Sequence, residues 1–538
     1  MHPLHISAAD DACECRRYDA AIEGASSQTR QSPLRGVLAW LDDHRYLALC
    51  AVLFALMLGT TLNANWVGDF WEHAAAVREL ARAPFDPHHP LFAVNKPHID
   101  FAPYLLILGL FSRLTGLSAV STLEIAGMVN LVLFLVGLRL FVRVFTDRPR
   151  APFYALLFLL LLYGWSPWEA SGLFNLNTIG FGLSYPSTIA VTVGFFTVAL
   201  FAGWLRGGVS RWSLAAVALL AAAAAVTHPA SAVFIYPTLV ALVLASGRGG
   251  DRAVLAPAGM TIAASIGLAL VWPYFSLVNL FTDNVGLYDA TNHFIYEGAV
   301  KRALPLLLAV PLVWRRLRAD WRDPLALLAL LFALFYAYGD VSGHWNWGRM
   351  ISFEFIVVFV LLADFASDLE SRMRGGELAP QLRAGIVAAA ALLLAVELVN
   401  MRSGIRDSLP NASANSDAGT SRFPDYAGFF RGTSRDAVTL AGLKAGRGIP
   451  VYAGKIVGYN NPEAFVDDQK RRQNDVNRFF QRSETLADRR AIVQRYGVDY
   501  IFLDRQQPPE GTLPLAPLLR LGSLERSERG LVLIRVRR

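Results

Sequence analysis

The residues best suited to chemistry crowd into one stretch, 64–73, which follows directly on the first long apolar run and reads Ala-Asn-Trp-Val-Gly-Asp-Phe-Trp-Glu-His. On a helix, Asp69, Glu72 and His73 are three and four residues apart and share one face. Downstream, Asp86, His88, His89, Lys96, His98 and Asp100 continue the crowding. Carboxylates and an imidazole held together in this way can exchange protons with a bound substrate. No other part of the chain presses ionisable groups so tightly against an apolar segment.

The elements that must position these groups are membrane helices. The chain has 538 residues, of which 54% are hydrophobic, above the 45–50% typical of soluble proteins. The excess lies in repeated continuous runs of roughly 16–25 residues, long enough to span a bilayer as helices. The net charge of +7 fits arginines anchoring inner loops, so no nucleic-acid partner is expected. Cys13, Cys15 and Cys50 are too few for a disulfide framework, and Cys13-Glu14-Cys15 lacks the spacing of a metal knuckle.

Residues 1–44 read as a polar cytoplasmic tail, since a signal peptide would begin its apolar core earlier. Eleven spans are expected, at roughly 46–65, 123–145, 151–166, 187–205, 211–228, 229–246, 254–280, 303–314, 324–339, 351–366 and 383–401. Phe101 to Thr115 is placed at the outer interface: as a span it would send Arg139, Arg143, Arg148 and Arg150 outside, against the positive-inside rule. With this arrangement the loops 167–186 and 281–300 contain no arginine, and 340–350 contains only Arg349. Seven of the ten histidines, among them His228, His293 and His344, then lie on or near the outer face, together with Asp69, Glu72, Asp86, Asp100 and Lys96.

The segment 66–120 is therefore the first outer loop of a transmembrane domain over 45–401. A Ser/Asn/Gly-rich linker at 402–425 leads to an extracytoplasmic α/β domain at 426–538. Within that domain Ile449 to Ala453 reads as a strand, Glu484 to Tyr496 as a helix capped by Gly497, and Val498–Leu503 and Leu531–Val536 as strands. Asn411-Ala412-Ser413 matches a glycosylation sequon.

The layout resembles that of the GT-C glycosyltransferases, in particular the bacterial branch with aminoarabinose and arabinofuranose transferases and protein mannosyltransferases. The likeness is carried by Gly68-Asp69 with Glu72-His73, the helix Ala74 to Arg82, Asn95-Lys96-Pro97 before Phe101-Ala102-Pro103-Tyr104, and His228-Pro229 at the end of a span. The sequence departs from the family where Asp69 is followed by Phe70-Trp71 instead of a second acid, which weakens the case for Glu72.

The resemblance implies an enzyme of the bacterial inner membrane that moves a sugar from a polyprenyl-phosphate donor to a hydroxyl acceptor on a glycan, lipid or protein at the outer face. Asp69 is the expected base, against the alternative of a plain helix N-cap. Glu72 is either a second catalytic acid or a partner of Arg78 or Arg82. Lys96 and Arg349 are the candidate phosphate-binding cations. His73, Asp86, His88, His89, His228, His344, Trp345 and Trp347 are candidate substrate contacts, although tryptophans also belong to the aromatic belt beside membrane lipids. No cofactor is demanded; a divalent cation on Asp86, His88 and His89 is the weaker alternative. A transporter or flippase would place charges at the midplane, where few occur. A non-catalytic assembly protein would make Asp69 dispensable.

Overall fold

A computed structural model describes residues 33–63, 66–282, 286–409, 423–507 and 513–537, with side chains from residue 44 onward. Cys13, Cys15 and the Asn411 sequon lie outside these residues. Among the described residues seven helices are long and apolar enough to cross a membrane: His44–Leu62, Ala119–Phe145, Pro186–Leu205, Arg252–Leu270, Pro324–Ser342, Trp345–Arg374 and Pro380–Asn400. Three expected spans, Ala151–Leu161, Ser213–Thr227 and Pro229–Ala245, are shorter apolar helices. The expected span at 303–314 is broken. A 3-10 segment, Leu304–Ala309, leads into the ten-residue helix Val310–Ala319, whose Trp314, Arg315, Arg316 and Arg318 give it a strongly polar side.

The expected span at 254–280 also stops early, at Leu270. Pro273 removes a backbone donor from a continued helix. The aromatic residues that follow turn back onto the first loop, with Trp272 Nε1 donating to the Phe101 carbonyl at 2.9 Å and Tyr274 Oη to that of Pro84 at 2.5 Å. The last helix, Pro380–Asn400, presents almost its whole apolar surface outward, as a lipid-facing helix must.

Two helices of the first loop, α1 (Phe70–Arg82) and α2 (Pro103–Thr115), pack together. At 13 residues, α2 is about 20 Å long, short of the roughly 30 Å hydrocarbon layer, and it ends at Gly116 in the left-handed conformation, φ 72°. Gly109 lets it approach α1 closely, because a Cβ there would strike Leu80.

The C-terminal domain is a five-stranded mixed sheet in the order β2-β1-β3-β5-β4. Its strands are β1 (Val438–Leu440), β2 (Lys455–Ile456), β3 (Tyr500–Asp504), β4 (Gly522–Glu528) and β5 (Leu531–Val536). β1 runs parallel to β2 and β3, and β5 is antiparallel to β3 and β4. Side chains alternate between faces along a strand, so Ile501, Leu503, Val532 and Ile534 meet Val476 and Phe479 of α3 (Gln469–Phe479) and Ile492 of α4 (Leu486–Arg495). Phe502, Leu531 and Leu533 take the other face and share one core with Trp66, Phe70, Trp71 and Phe92 of the first loop. The expected strand at Ile449–Ala453 is instead a short helix, Ile449–Tyr452. Pro450 has no N–H for a ladder and suits the first turn of a helix.

The domain is fastened to the loop by polar contacts as well. Ile456 N–H donates to the Leu91 carbonyl at 2.8 Å, extending the sheet edge by one bridge at Phe92. Arg78 of α1 donates to the carbonyls of Pro450 and Ala453, and Arg82 pairs with Asp436 at 3.0 Å. Lys455 is buried, with Nζ 3.1 Å from Glu79 of α1 and 2.7 Å from the His89 carbonyl. Removing one member of a buried pair strands the other, at about 3–5 kcal/mol. Lys455→Met should therefore lower the unfolding midpoint strongly, and Lys455→Met/Glu79→Met should recover most of the loss. Equal losses in the single and double variants would show that the pair does not fasten the domain.

Candidate active site at the junction of first loop and outer domain

Asp69 is presented by a turn that only glycine makes easily. Gly68 has φ 61°, and a Cβ there would come to 3.0 Å of the Tyr185 hydroxyl. That hydroxyl donates to the Val67 carbonyl at 2.7 Å and accepts from Phe70 N–H at 3.3 Å, clamping the turn from both sides. Trp66 stacks on Phe70 at 4.5 Å, and Trp71 Nε1 donates to the Trp66 carbonyl. Asp69 occupies the N-cap position of α1, but its side chain makes no capping hydrogen bond. Its Oδ1 instead accepts from Asn461 Nδ2 of the C-terminal domain at 2.7 Å.

Behind Asp69 lies a buried row of titratable groups. His73 Nδ1 is 2.8 Å from Asp100 Oδ2, and both are buried. His98 Nε2 is 3.0 Å from Glu463 Oε2 and 3.6 Å from Glu72 Oε1. Burial opposes charge on the His73 imidazole, but the Asp100 carboxylate outweighs it and raises the group to about 9. Burial likewise opposes charge on Asp100, yet the His73 imidazolium holds it below its usual range. Glu72 and Glu463 are pushed well above theirs, first by burial and then by neighbouring carboxylates, which favours their protonated forms. Glu72 thus faces His98, not Arg78 or Arg82. Those arginines lie six and ten residues on, away from its helix face, and hold the outer domain.

Arg349 and His228 approach from the membrane helices. Arg349 sits at the start of the Met350–Arg374 helix. Its Nε donates to Asn292 Oδ1 at 2.8 Å and its Nη1 to the Ser171 carbonyl at 2.8 Å. Among the described residues its Nη2 makes no hydrogen bond. His228 joins the helices Ser213–Thr227 and Pro229–Ala245 and bonds Ser231 Oγ through Nδ1 at 3.0 Å. Arg349 lies within electrostatic reach of both Asp69 and His228, and His73 within reach of His228. Asp69, His73, His228 and Arg349, widely separated in sequence, are therefore brought into one neighbourhood.

The other expected site residues lie elsewhere. Lys96 pairs with Asp467 at 3.1 Å in an exposed groove of about 370 Å³ between the loop and α3. Asp86 and His88 are exposed while His89 is fully buried, so the adjacent histidines point apart and the Asp86-His88-His89 cation cage does not form. His344 is half-exposed, 3.6 Å from Asp289. Trp345 packs on His293, and Trp347 on Phe335 and Tyr338. His98 and Asp100 stand in the crowding already noted downstream of His73, while Asn461, Glu463 and Tyr185 belong to the site without having been singled out for it. Only the polar run Tyr459-Asn460-Asn461-Pro462-Glu463 offers a signal for two of them.

Two other sets, His89-His98-Glu463 and Glu72-His98-Asp100, bring ligand atoms within 4.8 Å of one another. Their histidines do not fit a cation. His98 Nδ1 accepts from Asp100 N–H, and His89 Nδ1 accepts from the N–H groups of Leu91 and Phe92. A neutral imidazole that accepts at Nδ1 carries its proton on Nε2, so both rings offer a hydrogen where a metal needs a lone pair.

The His73–Asp100 pair has a pH signature. Below about pH 6.5 the imidazole is protonated folded or unfolded and the stabilisation is complete; it fades as pH rises and is lost above about 9. Replacing Asp100 by Asn should thus cost on the order of 3 kcal/mol near pH 6, and the gap to the wild type should close by pH 10. A gap in thermal stability that is constant with pH would contradict the charged pair.

No family model matches the chain, and no curated protein matches it by sequence. Solved structures do match. ArnT from Cupriavidus metallidurans bound to undecaprenyl phosphate aligns with a TM-score of 0.54 at 15% identity, over 92% of this chain and 98% of its own. Its apo state gives 0.53 at 14%, over 93% and 98%. The Archaeoglobus fulgidus oligosaccharyltransferase tethered with an acceptor peptide aligns with a TM-score of 0.55 at 11% identity, over 87% of this chain and 70% of its own. ArnT is an aminoarabinose transferase, and both proteins have the GT-C architecture. The chain is a multi-pass membrane protein with the GT-C fold.

Proposed function

We propose that this protein is a membrane glycosyltransferase that moves a sugar from a polyprenyl-phosphate donor to a hydroxyl acceptor at the outer membrane face, with inversion at the anomeric carbon. The observation that carries the reading is the uncapped carboxylate of Asp69, within electrostatic reach of Arg349, itself close to His228. The fold shared with ArnT and the archaeal oligosaccharyltransferase supports it, as does the undecaprenyl phosphate held by the former.

In this reading the acceptor hydroxyl attacks the anomeric carbon while Asp69 takes its proton. The bond from that carbon to the phosphate oxygen breaks, and polyprenyl phosphate leaves. Charge that develops on the departing phosphate meets the Arg349 guanidinium and the His73 imidazolium, groups fixed in advance by Asn292, Ser171 and Asp100. Glu72, buried against His98, supports the site and is not a second base. Lys96 is a further phosphate contact: its exposed pair with Asp467 is worth little in water, so a donor phosphate in the groove would compete for it. The His228, His344, Trp345 and Trp347 side chains remain proposed substrate contacts at the membrane-side rim.

Purified protein supplied with a panel of labelled polyprenyl-phosphate sugars should transfer sugar to an acceptor, and Asp69→Asn should lower the rate about 10²–10⁴-fold with little change in donor binding. Arg349→Gln should weaken donor binding and slow transfer together. Undiminished transfer by Asp69→Asn would sink the base assignment. The orientation has its own test: an impermeant thiol reagent applied outside cells should label Glu169→Cys and spare Arg318→Cys. The reverse pattern would put the site on the inner face.

A further inference from the structure

The outer domain does more than cover the site. We propose that Asn461 is a positioning residue for the Asp69 carboxylate, and that Arg447 fixes the Asn461 amide in its donating orientation. The proposal rests on the reading of Asp69 as the base of a glycosyl transfer.

The orientation of the amide follows from its two neighbours. Arg447 Nη2 lies 2.9 Å from Asn461 Oδ1, and an arginine can only donate, so the atom it meets must be the amide oxygen. Nδ2 therefore faces Asp69 Oδ1, at 2.7 Å, where an ionised carboxylate can only accept. A flipped amide would set donor against donor on one side and acceptor against acceptor on the other.

Arg447 is itself immobilised. It is buried, its Nε donates to Asn460 Oδ1 at 2.9 Å, and its guanidinium lies 5.7 Å from the centre of the Tyr459 ring. The Asn461 carbonyl accepts from Gln469 Nε2, and Gln469 Oε1 accepts from Glu463 N–H at 2.6 Å. Pro462 restricts the backbone of Asn461 to extended conformations. The loop that carries the amide is thus tied at both ends to the body of the outer domain.

A neutral amide suits this place. An arginine bonded directly to Asp69 would neutralise the carboxylate and favour its ionised form, which weakens a base. An interposed amide fixes the rotamer and leaves the charge on the carboxylate. Only Oδ1 is engaged; among the described residues Asp69 Oδ2 makes no hydrogen bond and is left for the acceptor hydroxyl.

The test uses full-length protein in lipid nanodiscs. Asn461→Ala should lower kcat about 10- to 100-fold, as a small misplacement of a reacting group does, with KM for the donor and the affinity for undecaprenyl phosphate within about threefold of wild type. Asn461→Ser, shorter by one polar group, should fall between, and it serves if the alanine variant melts too low to assay. An arm independent of turnover follows the modification of Asp69 by dicyclohexylcarbodiimide with mass spectrometry. Loss of a hydrogen bond to a charged group, commonly about 1.5 kcal/mol or more, should speed the labelling about tenfold. Asn461→Ala with wild-type kcat, with faster transfer than wild type (the mark of an amide that blocks the base), or with unchanged labelling of Asp69 would overturn the proposal. A wild type that transfers no sugar while Asn461→Ala still speeds the labelling would instead refute the glycosyltransferase reading and leave the role of Asn461 as the holder of Asp69 intact.

Discussion

The structure depends on one constraint: ionisable groups buried between the first loop and the C-terminal domain must find their partners across that junction. Glu72 and His98 of the loop meet Glu463 of the domain; Glu79 meets Lys455; Arg78 meets the carbonyls of Pro450 and Ala453; Asp69 meets Asn461. None of these pairings can be made by either part alone. A buried polar group left unpaired costs on the order of 1–3 kcal/mol, and a charge more. The apolar face of β3 and β5 adds to this by burying Trp71 and Phe92 in the same core as Phe502 and Leu533. The domain is therefore an integral wall of the site and not an appendage on a linker.

The membrane helices contribute a different kind of precision. They bring polar groups to the same junction from their ends, where the backbone is no longer fully bonded within the helix. Arg349 and His228 both stand at such ends. Arg349 is brought close to the segment holding Asn292 because Gly348 has no side chain to strike Tyr296; a Cβ there would lie 2.9 Å from the ring. Arg349 and His228 held at helix ends, Asp69 presented by a turn and Asn461 held by the C-terminal domain come together with little freedom left in any of them. This is the preorganisation that charge stabilisation in a transition state requires.

Much of this was legible in the sequence because it is local. The length of an apolar run decides whether a helix can cross a membrane, and the short run before Thr115 forms a helix of 13 residues, too short to span. Thr485 as N-cap and Gly497 past the end bracket α4 close to the expected helix. The crowding at 64–73 marked the site. What could not be read is non-local: Asn461 is 392 residues from Asp69, and Glu463 is 365 from His98. Chain-local rules misled elsewhere. Ile449–Ala453 looks like a strand, yet it forms a short helix at Pro450. The apolar run through Trp272 and Phe275 looks like continued span, yet it folds back to pack beside Phe101 and Phe465. Lys96 drew attention as a lone lysine, but its distance from Asp69 depends on how the loop docks, which composition does not encode.

The central claim is that first loop, helix ends and outer domain form one donor site around Asp69. The most direct measurement is an experimental structure of the protein with a non-transferable polyprenyl-phosphate sugar bound. The account predicts the phosphate against Arg349 and His73, with the anomeric carbon turned towards Asp69 Oδ2 and Asn461 still bonded to Oδ1. A phosphate seated at Lys96 and Arg471 in the outer groove, with Asp69 facing no part of the sugar, would contradict it.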